Sequence, residues 1–488
     1  MPDILSVSLQ DIVYARKPGM QKITVQSLIS KVPSSNGILK NWHRFKSTGA
    51  LFLLDVLSGS LHMLDEMSWN LIGALEQADR ADALERFSSE YGSLAVEEIL
   101  EDLNTLIEEG SLSDPDEADP NVDLFENGPR HIKAMCIHIA HDCNMRCGYC
   151  FAGMGGFGGQ RVLMKAEVGK AALDFLFKSS GHIRHLEVDF FGGEPLMNFD
   201  AVKEIVEYGK ELERKYDKVL KFTMTTNVLA MDDSIGEYLN QNDMATVLSI
   251  DGRKEVHDAV RRTEDGGPTF ETILENAKRF VKSRDGEDYY VRGTYTVKNK
   301  DFSNDVLFMA DQGFKRISFE PVVADDSSPY AIKDEDLPEI FEEYDRLSTE
   351  MVKRSKAGDG FSFFHFDMDV AKGPCIKKRL SGCGAGAEYV AVTPEGDIYP
   401  CHQFVGRPEF KMGDVFNGIN NEDVGKSFSN ANIQTKEGCS DCWARYYCSG
   451  GCHANAFQFG GDIFKPYEMG CKLTKKRLET ALGYQALK

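Results

Sequence analysis

Long apolar runs are missing from this 488-residue chain, and no stretch approaches the ~20 residues that a membrane-crossing helix needs. Positive charge is also short. Lys and Arg number 56 against 77 Asp and Glu, a formal net charge of −21. Such a surface repels phosphate backbones and argues against a nucleic-acid partner. The opening MPDILSVSLQDIVYARK has an acid at position 3 and no apolar core segment, so it does not read as a secretory signal. The expected location is cytoplasmic, where disulfides rarely persist. Cysteine is absent from the first 135 residues. The twelve cysteines that follow are therefore better read as metal ligands than as a disulfide framework.

What is present is ordinary in bulk, with 42% hydrophobic and 27% charged residues. The length suits about three domains. Residues 1–40 carry little pattern and form an N-terminal extension without an assigned role. Apolar runs at Ala50–Val56 and Gly59–Leu64, separated by Leu57–Ser58–Gly59, predict a β-hairpin. Helical periodicity follows near 66–77, 80–90 and 95–109, the last ending at Gly110. A small sheet with three helices predicts a winged-helix-like module over 41–112. Its acidity argues against the DNA partner usual for that fold. Residues 113–130, acidic and proline-containing without periodicity, read as a linker.

From residue 131 strand and helix patterns alternate. Strands are predicted at Ile132–Ala140, Leu186–Phe191, Lys221–Thr226, Ala245–Ile250, Tyr289–Val297 and Ile317–Val323. Helices are predicted between them, for example Lys165–Lys178 and Val202–Tyr216, then a long one at Asp334–Lys356 and a connection at Ala357–Phe366. The fold class is α/β: a parallel sheet with right-handed crossovers, closing into a partial (β/α)6 TIM-type barrel over 131–360. Active sites of such barrels lie at the C-terminal strand ends, and the notable motifs fall there. A cysteine loop follows the first strand. Gly192-Gly193-Glu194-Pro195 follows the second, and Thr225-Thr226-Asn227 ends the third. Ser249-Ile250-Asp251-Gly252 ends the fourth, Arg292 is on the fifth and Glu320 on the sixth. Gly192 and Gly193 allow close approach of backbone to a ligand. Glu194 suits an ammonium, Ser249 and Asn227 suit hydroxyls or a carboxylate, and Arg292 suits a carboxylate. Taken singly, each also reads as a turn, a strand end or a salt bridge. The run Gly153–Gly159 is expected to be a loop that covers the site or simply links.

The cysteine loop, His141–Phe151, reads HDCNMRCGYCF and spaces Cys143, Cys147 and Cys150 as C-x3-C-x2-C. Three thiolates can hold one face of a [4Fe–4S] cluster and leave one iron open. A zinc site or buried thiols are the plainer alternatives. The loop, with Tyr149 before its last cysteine, resembles that of the radical S-adenosylmethionine (SAM) enzymes. The resemblance implies a cluster on Cys143, Cys147 and Cys150 whose open iron chelates SAM. One electron then releases a 5′-deoxyadenosyl radical. It also implies SAM contacts from Tyr149, Gly192, Gly193, Glu194, Asn227, Ser249 and Arg292.

A second cysteine field starts beyond residue 374. Cys383, Gly396 and Cys401 are followed by Cys439-x2-Cys442-x5-Cys448-x3-Cys452 and then Cys471. This seven-cysteine order resembles the SPASM extension, expected here over 361–488. The resemblance implies two auxiliary [4Fe–4S] clusters, three in all. One would be held by Cys383, Cys401 and Cys452, the other by Cys439, Cys442, Cys448 and Cys471. Cys375 either closes the first of these or leaves it an open iron. A single zinc on Cys439, Cys442, Cys448 and Cys452 is the alternative, and it leaves four cysteines unexplained. Cys136, inside the first strand, reads as a buried thiol.

The phrase LDVLSGSLHMLDE resembles the peptide-recognition domain of enzymes that modify ribosomally made peptides, where a leader adds as a strand to the small sheet. The stretches HDCNMRCGYCFAGMGGFGG, LEVDFFGGEPLMNF, LSIDGRKEVHD, YYVRGTYT and CGAGAEYVAVTPEGDIYPCHQFVG resemble the thioether-forming maturases of six-cysteine (SCIFF) peptides and the related ranthipeptide class. The resemblance implies a cysteine-rich precursor peptide with a leader, and a reducing partner of flavodoxin or ferredoxin type. The implied reaction is abstraction of hydrogen from an acceptor residue of the peptide, whose carbon then bonds to a cysteine sulfur. No residue beyond cluster-bound SAM is assigned to catalysis. The alternatives are another SPASM maturase, oxidising a sulfatase residue or making a carbon–carbon link, and a non-catalytic metal-bearing peptide-binding protein.

Overall fold

Polar and apolar residues alternate along the central strands, and that alternation decides the architecture. A computed structural model describes residues 40–76, 80–114, 119, 131–370, 380 and 382–488. All but the last residue of the expected extension (residues 1–40), most of the expected linker and Cys375 lie outside the described residues. The chain divides into two units.

The larger unit is built on one sheet of eleven strands. In chain order these are β4 (Ala134–Ala140), β5 (His185–Gly192), β6 (Val219–Thr226), β7 (Ala245–Ser249), β8 (Tyr289–Tyr295), β9 (Arg316–Pro321), β10 (Ser362–Phe363), β11 (Tyr389–Val392), β12 (Asp397–Tyr399), β13 (Gly413–Asp414) and β14 (Gly418–Ile419). They lie in the order β10-β9-β8-β7-β6-β5-β4-β11-β12-β13-β14. All six predicted strands form, and β4 to β9 pair in parallel. Helices at Ala166–Ser179, Phe199–Tyr216, Asp233–Gln241, Phe270–Ser283 and Phe302–Asp311 make the crossovers. On β5, Leu186, Val188 and Phe190 are fully buried and share a core with Leu173, Val202 and Ile205. Asp189 and Phe191, between them, line a cavity instead. Period-two side chains thus give the sheet an apolar outer face and an inner face that lines the cavity.

Two additions were not foreseen. The stretch read as a connection at Ala357–Phe366 contains β10, which pairs in parallel with β9. On the opposite side β11 pairs in parallel with β4, and β12 to β14 continue as antiparallel pairs. The cysteine-rich region therefore extends the barrel sheet itself. No helix among the described residues is long and apolar enough to cross a membrane.

The smaller unit holds an antiparallel sheet of β1 (Trp42–Ser47), β2 (Ala50–Asp55) and β3 (Leu61–Leu64). Helices Glu66–Leu75, Arg80–Tyr91 and Ser93–Glu108 follow, close to the predicted spans. Leu53, Leu71, Ile72, Val96, Leu100, Leu103 and Ile107 form its core. Strand β1 was missed. Its turn, Thr48-Gly49, has φ of 50° and 80°, the two positive values of a type I′ hairpin, but Thr is not a usual first residue there. Asp55 is fully buried and pins this unit. It accepts from the backbone N–H of Leu57 (3.0 Å) and Ser58 (2.6 Å), and from the N–H (2.6 Å) and hydroxyl (2.5 Å) of Ser113. Asp55→Ala leaves those donors unpaired. It should cost about 3 kcal/mol or more, given 1–3 kcal/mol for each stranded buried group. Urea unfolding followed by the fluorescence of nearby Trp42 measures this, and a loss under about 1 kcal/mol would contradict it.

Candidate active site

All ten residues expected around the first cluster and SAM line one cavity of about 380 Å³. Cys143, Cys147, Tyr149 and Cys150 come from the loop after β4. Gly192, Gly193 and Glu194 come from the end of β5, Asn227 from just past β6, Ser249 from the end of β7 and Arg292 from β8. Ser249 and Arg292 are register partners.

The glycines also have a use within the fold itself. They make room for the cysteine loop. Gly192 has φ of +127°, and a Cβ there would stand 2.2 Å from the carbonyl oxygen of Ala140; at Gly193 it would stand 2.0 Å from that of Asp142. The bare backbone lets Gly193 N–H donate to Ala140 (2.7 Å) and Glu194 N–H to Asp142 (2.9 Å). Glu194 is buried and ties this segment onward. Its Oε1 accepts from Leu196 N–H (3.0 Å) and the Thr226 hydroxyl (2.7 Å), and its Oε2 from Asn227 N–H (2.7 Å). A carboxylate has about four lone-pair directions, so Oε2 keeps one for a cation. Burial raises its pKa to about 7 against the pull of those three bonds. The Asn227 side-chain amide donates to Asn144 (2.7 Å) and reaches Cys143 Sγ at 3.7 Å.

Sequence reasoning missed the charged pair beneath the loop. Tyr149 donates its hydroxyl to Asp251, and Arg261 pairs with the same carboxylate at 2.9 Å. Thr294 N–H donates to the other oxygen at 3.0 Å. The Arg261 guanidinium lies 5.7 Å from the centre of the Tyr149 ring. Asp251 belongs to the Ser249–Gly252 motif, but nothing in the sequence joins it to Arg261. Burial pushes the Cys143 thiol up to about 12 and Cys147 up to about 11, with Arg261 acting against it at Cys147. Bare thiols here stay protonated, and a bound cation would supply what they need to ionise.

The Gly153–Gly159 run folds back on the site, with Met154 and Gly155 in the cavity wall. A Cβ on Gly155 would meet Cys143 Cβ at 2.9 Å. Further wall residues were not assigned from sequence. Asp189, pushed up to about 6 by burial, accepts from the Thr223 hydroxyl at 2.8 Å. Glu320 is raised by burial but brought down to about 2 by His365, Arg477 and Arg292. Phe151, Phe191 and His402 pack ring to ring at 5.2–6.4 Å. Tyr389, His402, Gln403 and Gln458 reach this wall from the cysteine-rich region.

The second cysteine field is partly gathered. Cys401 is pushed up to about 12, chiefly by burial, with Cys452 and Cys383 adding to it. These three, expected as one ligand set, are therefore neighbours. Cys471 sits in the first turn of the helix Glu468–Leu487. Cys448 and Cys452 bracket Ser449–Gly451, all three with positive φ. The Cys439 N–H donates to the carbonyl of Lys436, and the Cys442 carbonyl accepts from Arg445. Cys136 is buried in β4, as expected.

Residues 137–294 match the radical SAM superfamily. Residues 383–443 match the iron–sulfur cluster-binding SPASM domain. The chain carries a radical SAM domain joined to a SPASM domain. It is homologous to anaerobic sulfatase maturases. The cysteine-type anaerobic sulfatase-maturating enzyme of Clostridium novyi is 24% identical over 337 residues, 64% of this chain and 86% of that protein. The fold is shared with the solved structure of anSMEcpe with bound AdoMet, at a TM-score of 0.61 and 20% identity, covering 73% of this chain and 100% of that one. Streptococcus suis SuiB, solved bound to its precursor peptide SuiA, has a TM-score of 0.51 at 16% identity and covers 88% of this chain and 98% of that one. That share exceeds what residues 131–488 could supply. A radical SAM domain implies iron–sulfur and SAM binding, and three cysteine thiols in the wall of one cavity fit such a group. Cys143, Cys147 and Cys150 would hold the radical SAM cluster.

Proposed function

We propose that this protein is a peptide maturase that joins a cysteine sulfur to a carbon of an acceptor residue in a ribosomally made, cysteine-rich peptide. One observation carries the reading. The three cysteines and seven candidate SAM residues line a single cavity whose remaining wall comes partly from the SPASM region. When bound, SAM and its cluster supply a radical that removes a hydrogen atom from carbon. The chain's own residues prepare that event. Tyr149, Asp251 and Arg261 fix the loop from below. Gly192 and Gly193 seat it closely, and Glu194 keeps an acceptor for the SAM ammonium. Asn227, Ser249 and Arg292 offer partners for the remaining polar groups of SAM. Phe151, Met154, Phe191 and Val322 give the cavity an apolar side that excludes water from the peptide carbon.

Three [4Fe–4S] clusters belong to this reading, with Cys383, Cys401 and Cys452 on one auxiliary site and Cys439, Cys442, Cys448 and Cys471 on the other. The N-terminal domain would take the leader as an added strand, where backbone bonds give affinity and side-chain pockets give choice. The SuiB likeness, reaching past the barrel and the SPASM region, supports a shared fold there. A flavodoxin- or ferredoxin-type protein would supply the electron. The second reading is a sulfatase-type oxidation, which the identity with sulfatase maturases favours.

One assay separates them. Reconstituted protein is mixed anaerobically with SAM, dithionite and a cysteine-rich precursor peptide, and free thiols are then alkylated. Thioether formation predicts loss of two hydrogens per link and one thiol per link unavailable to alkylation. A different mass change at a cysteine favours the sulfatase-type reading. Absence of 5′-deoxyadenosine from a sample shown to hold its iron and sulfide would overturn both.

A further inference from the structure

Among the SPASM cysteines lies a lysine with no part in the reading above. Lys436 is 2% exposed. Its ammonium donates to the carbonyl of Gly450 at 2.9 Å, and among the described residues no carboxylate pairs with it. The loop is shaped to receive it. Ser449, Gly450 and Gly451 have φ of 60°, 81° and 71°, and a Cβ on Gly450 would meet Lys436 Cδ at 3.1 Å. Burying an ammonium without a counter-ion is strongly unfavourable. Burial lowers the pKa of Lys436, and the groups that act against this, as thiolates, are Cys439, Cys452, Cys448 and Cys383. Cys439 and Cys448 belong to one expected ligand set, Cys452 and Cys383 to the other.

Neutral thiols would not repay the burial. Thiolate-bound iron–sulfur clusters would, because they carry net negative charge that grows by one on reduction. A fixed positive charge nearby favours the reduced form and raises the potential. We propose that Lys436 is the shared counter-ion of the two auxiliary clusters and raises their reduction potentials, which makes them acceptors for the electron left over when the carbon–sulfur bond forms. This rests on the reading that both cysteine sets bind clusters. In that step the carbon radical and the cysteine sulfur form the bond, the thiol proton leaves to solvent, and one electron reduces an oxidised auxiliary cluster.

The test starts from a variant with Cys143, Cys147 and Cys150 changed to Ala, which keeps only auxiliary clusters. Lys436→Met and Lys436→Arg are added separately. Iron and sulfide are counted, and the potentials are read by redox titration with electron paramagnetic resonance. Lys436→Met should shift the reduction equilibrium at least tenfold toward the oxidised form, 59 mV for a one-electron couple. Lys436→Arg should stay within that span of the parent. A fully loaded Lys436→Met with unchanged potentials overturns the proposal. If Lys436→Met fails to load, a loaded Lys436→Arg supports the need for charge, and an empty one assigns Lys436 to packing and overturns it. A parent variant without iron and sulfide overturns the cluster reading and this proposal together, before Lys436 is touched.

Discussion

Gly193→Ala should leave the protein unable to fill its radical SAM site while the SPASM sites load normally. The added methyl would stand 2.0 Å from the Asp142 carbonyl oxygen and 2.5 Å from its carbon. Those are backbone atoms next to Cys143, so no side-chain rotation relieves the clash. Overpacking of this kind costs about 1–3 kcal/mol. The two hydrogen bonds that zip the segments, Gly193 to Ala140 and Glu194 to Asp142, are each worth about 0.5–1.5 kcal/mol more. The loop would be displaced as a unit, and Cys143 with it. Iron and sulfide counts should fall by one cluster, and 5′-deoxyadenosine should drop to the level without enzyme. Gly159→Ala is the control, since its Cβ would meet nothing nearer than 3.7 Å. Wild-type loading by Gly193→Ala would mean that the loop is not seated as described.

Arg261→Met should be the most destabilising single change beneath the site. The side chain of Asp251 is fully buried and that of Arg261 is 10% exposed. Removing one partner of a buried pair strands the other charge, at about 3–5 kcal/mol. Tyr149 and Thr294 would still donate to Asp251, but neither carries charge. Cys147 also loses the group that opposes its burial, so cluster loading should weaken at the same time. Adding Asp251→Asn removes the stranded charge and should recover part of the stability without restoring Cys147. Urea unfolding and iron content read the two effects separately. A double variant no more stable than Arg261→Met would show that the pair is not coupled.

These residues mark how far the sequence could be read. Cysteine spacing and the Gly192–Glu194 and Ser249–Gly252 motifs are local, and the α/β alternation places local motifs at strand ends. All ten candidate residues therefore reached one cavity. The packing of the glycines against the cysteine loop was not read because that neighbour is a backbone segment some fifty residues earlier. Arg261 was missed because it and Asp251 meet Tyr149 only after three helix–strand units, from Ala166 to Ser249, have formed. Lys436 looks like an ordinary surface lysine in sequence, and only its burial sets it apart. β1 went unread because Thr48-Gly49 is an uncommon hairpin turn, and β10 because two residues carry no period.

The pairing of β11 with β4 bears on how this protein can be divided. Residues Tyr389–Val392 hydrogen-bond to the strand that leads into Cys143–Cys150. A truncation after residue 360 would not release a finished barrel. It would strip the neighbour from the strand that delivers the radical SAM loop and leave a row of unpaired amides and carbonyls, a template for aggregation. The cysteine-rich region is thus no detachable cassette. Exchange of SPASM regions between enzymes would succeed only where the donor brings a strand that matches this edge.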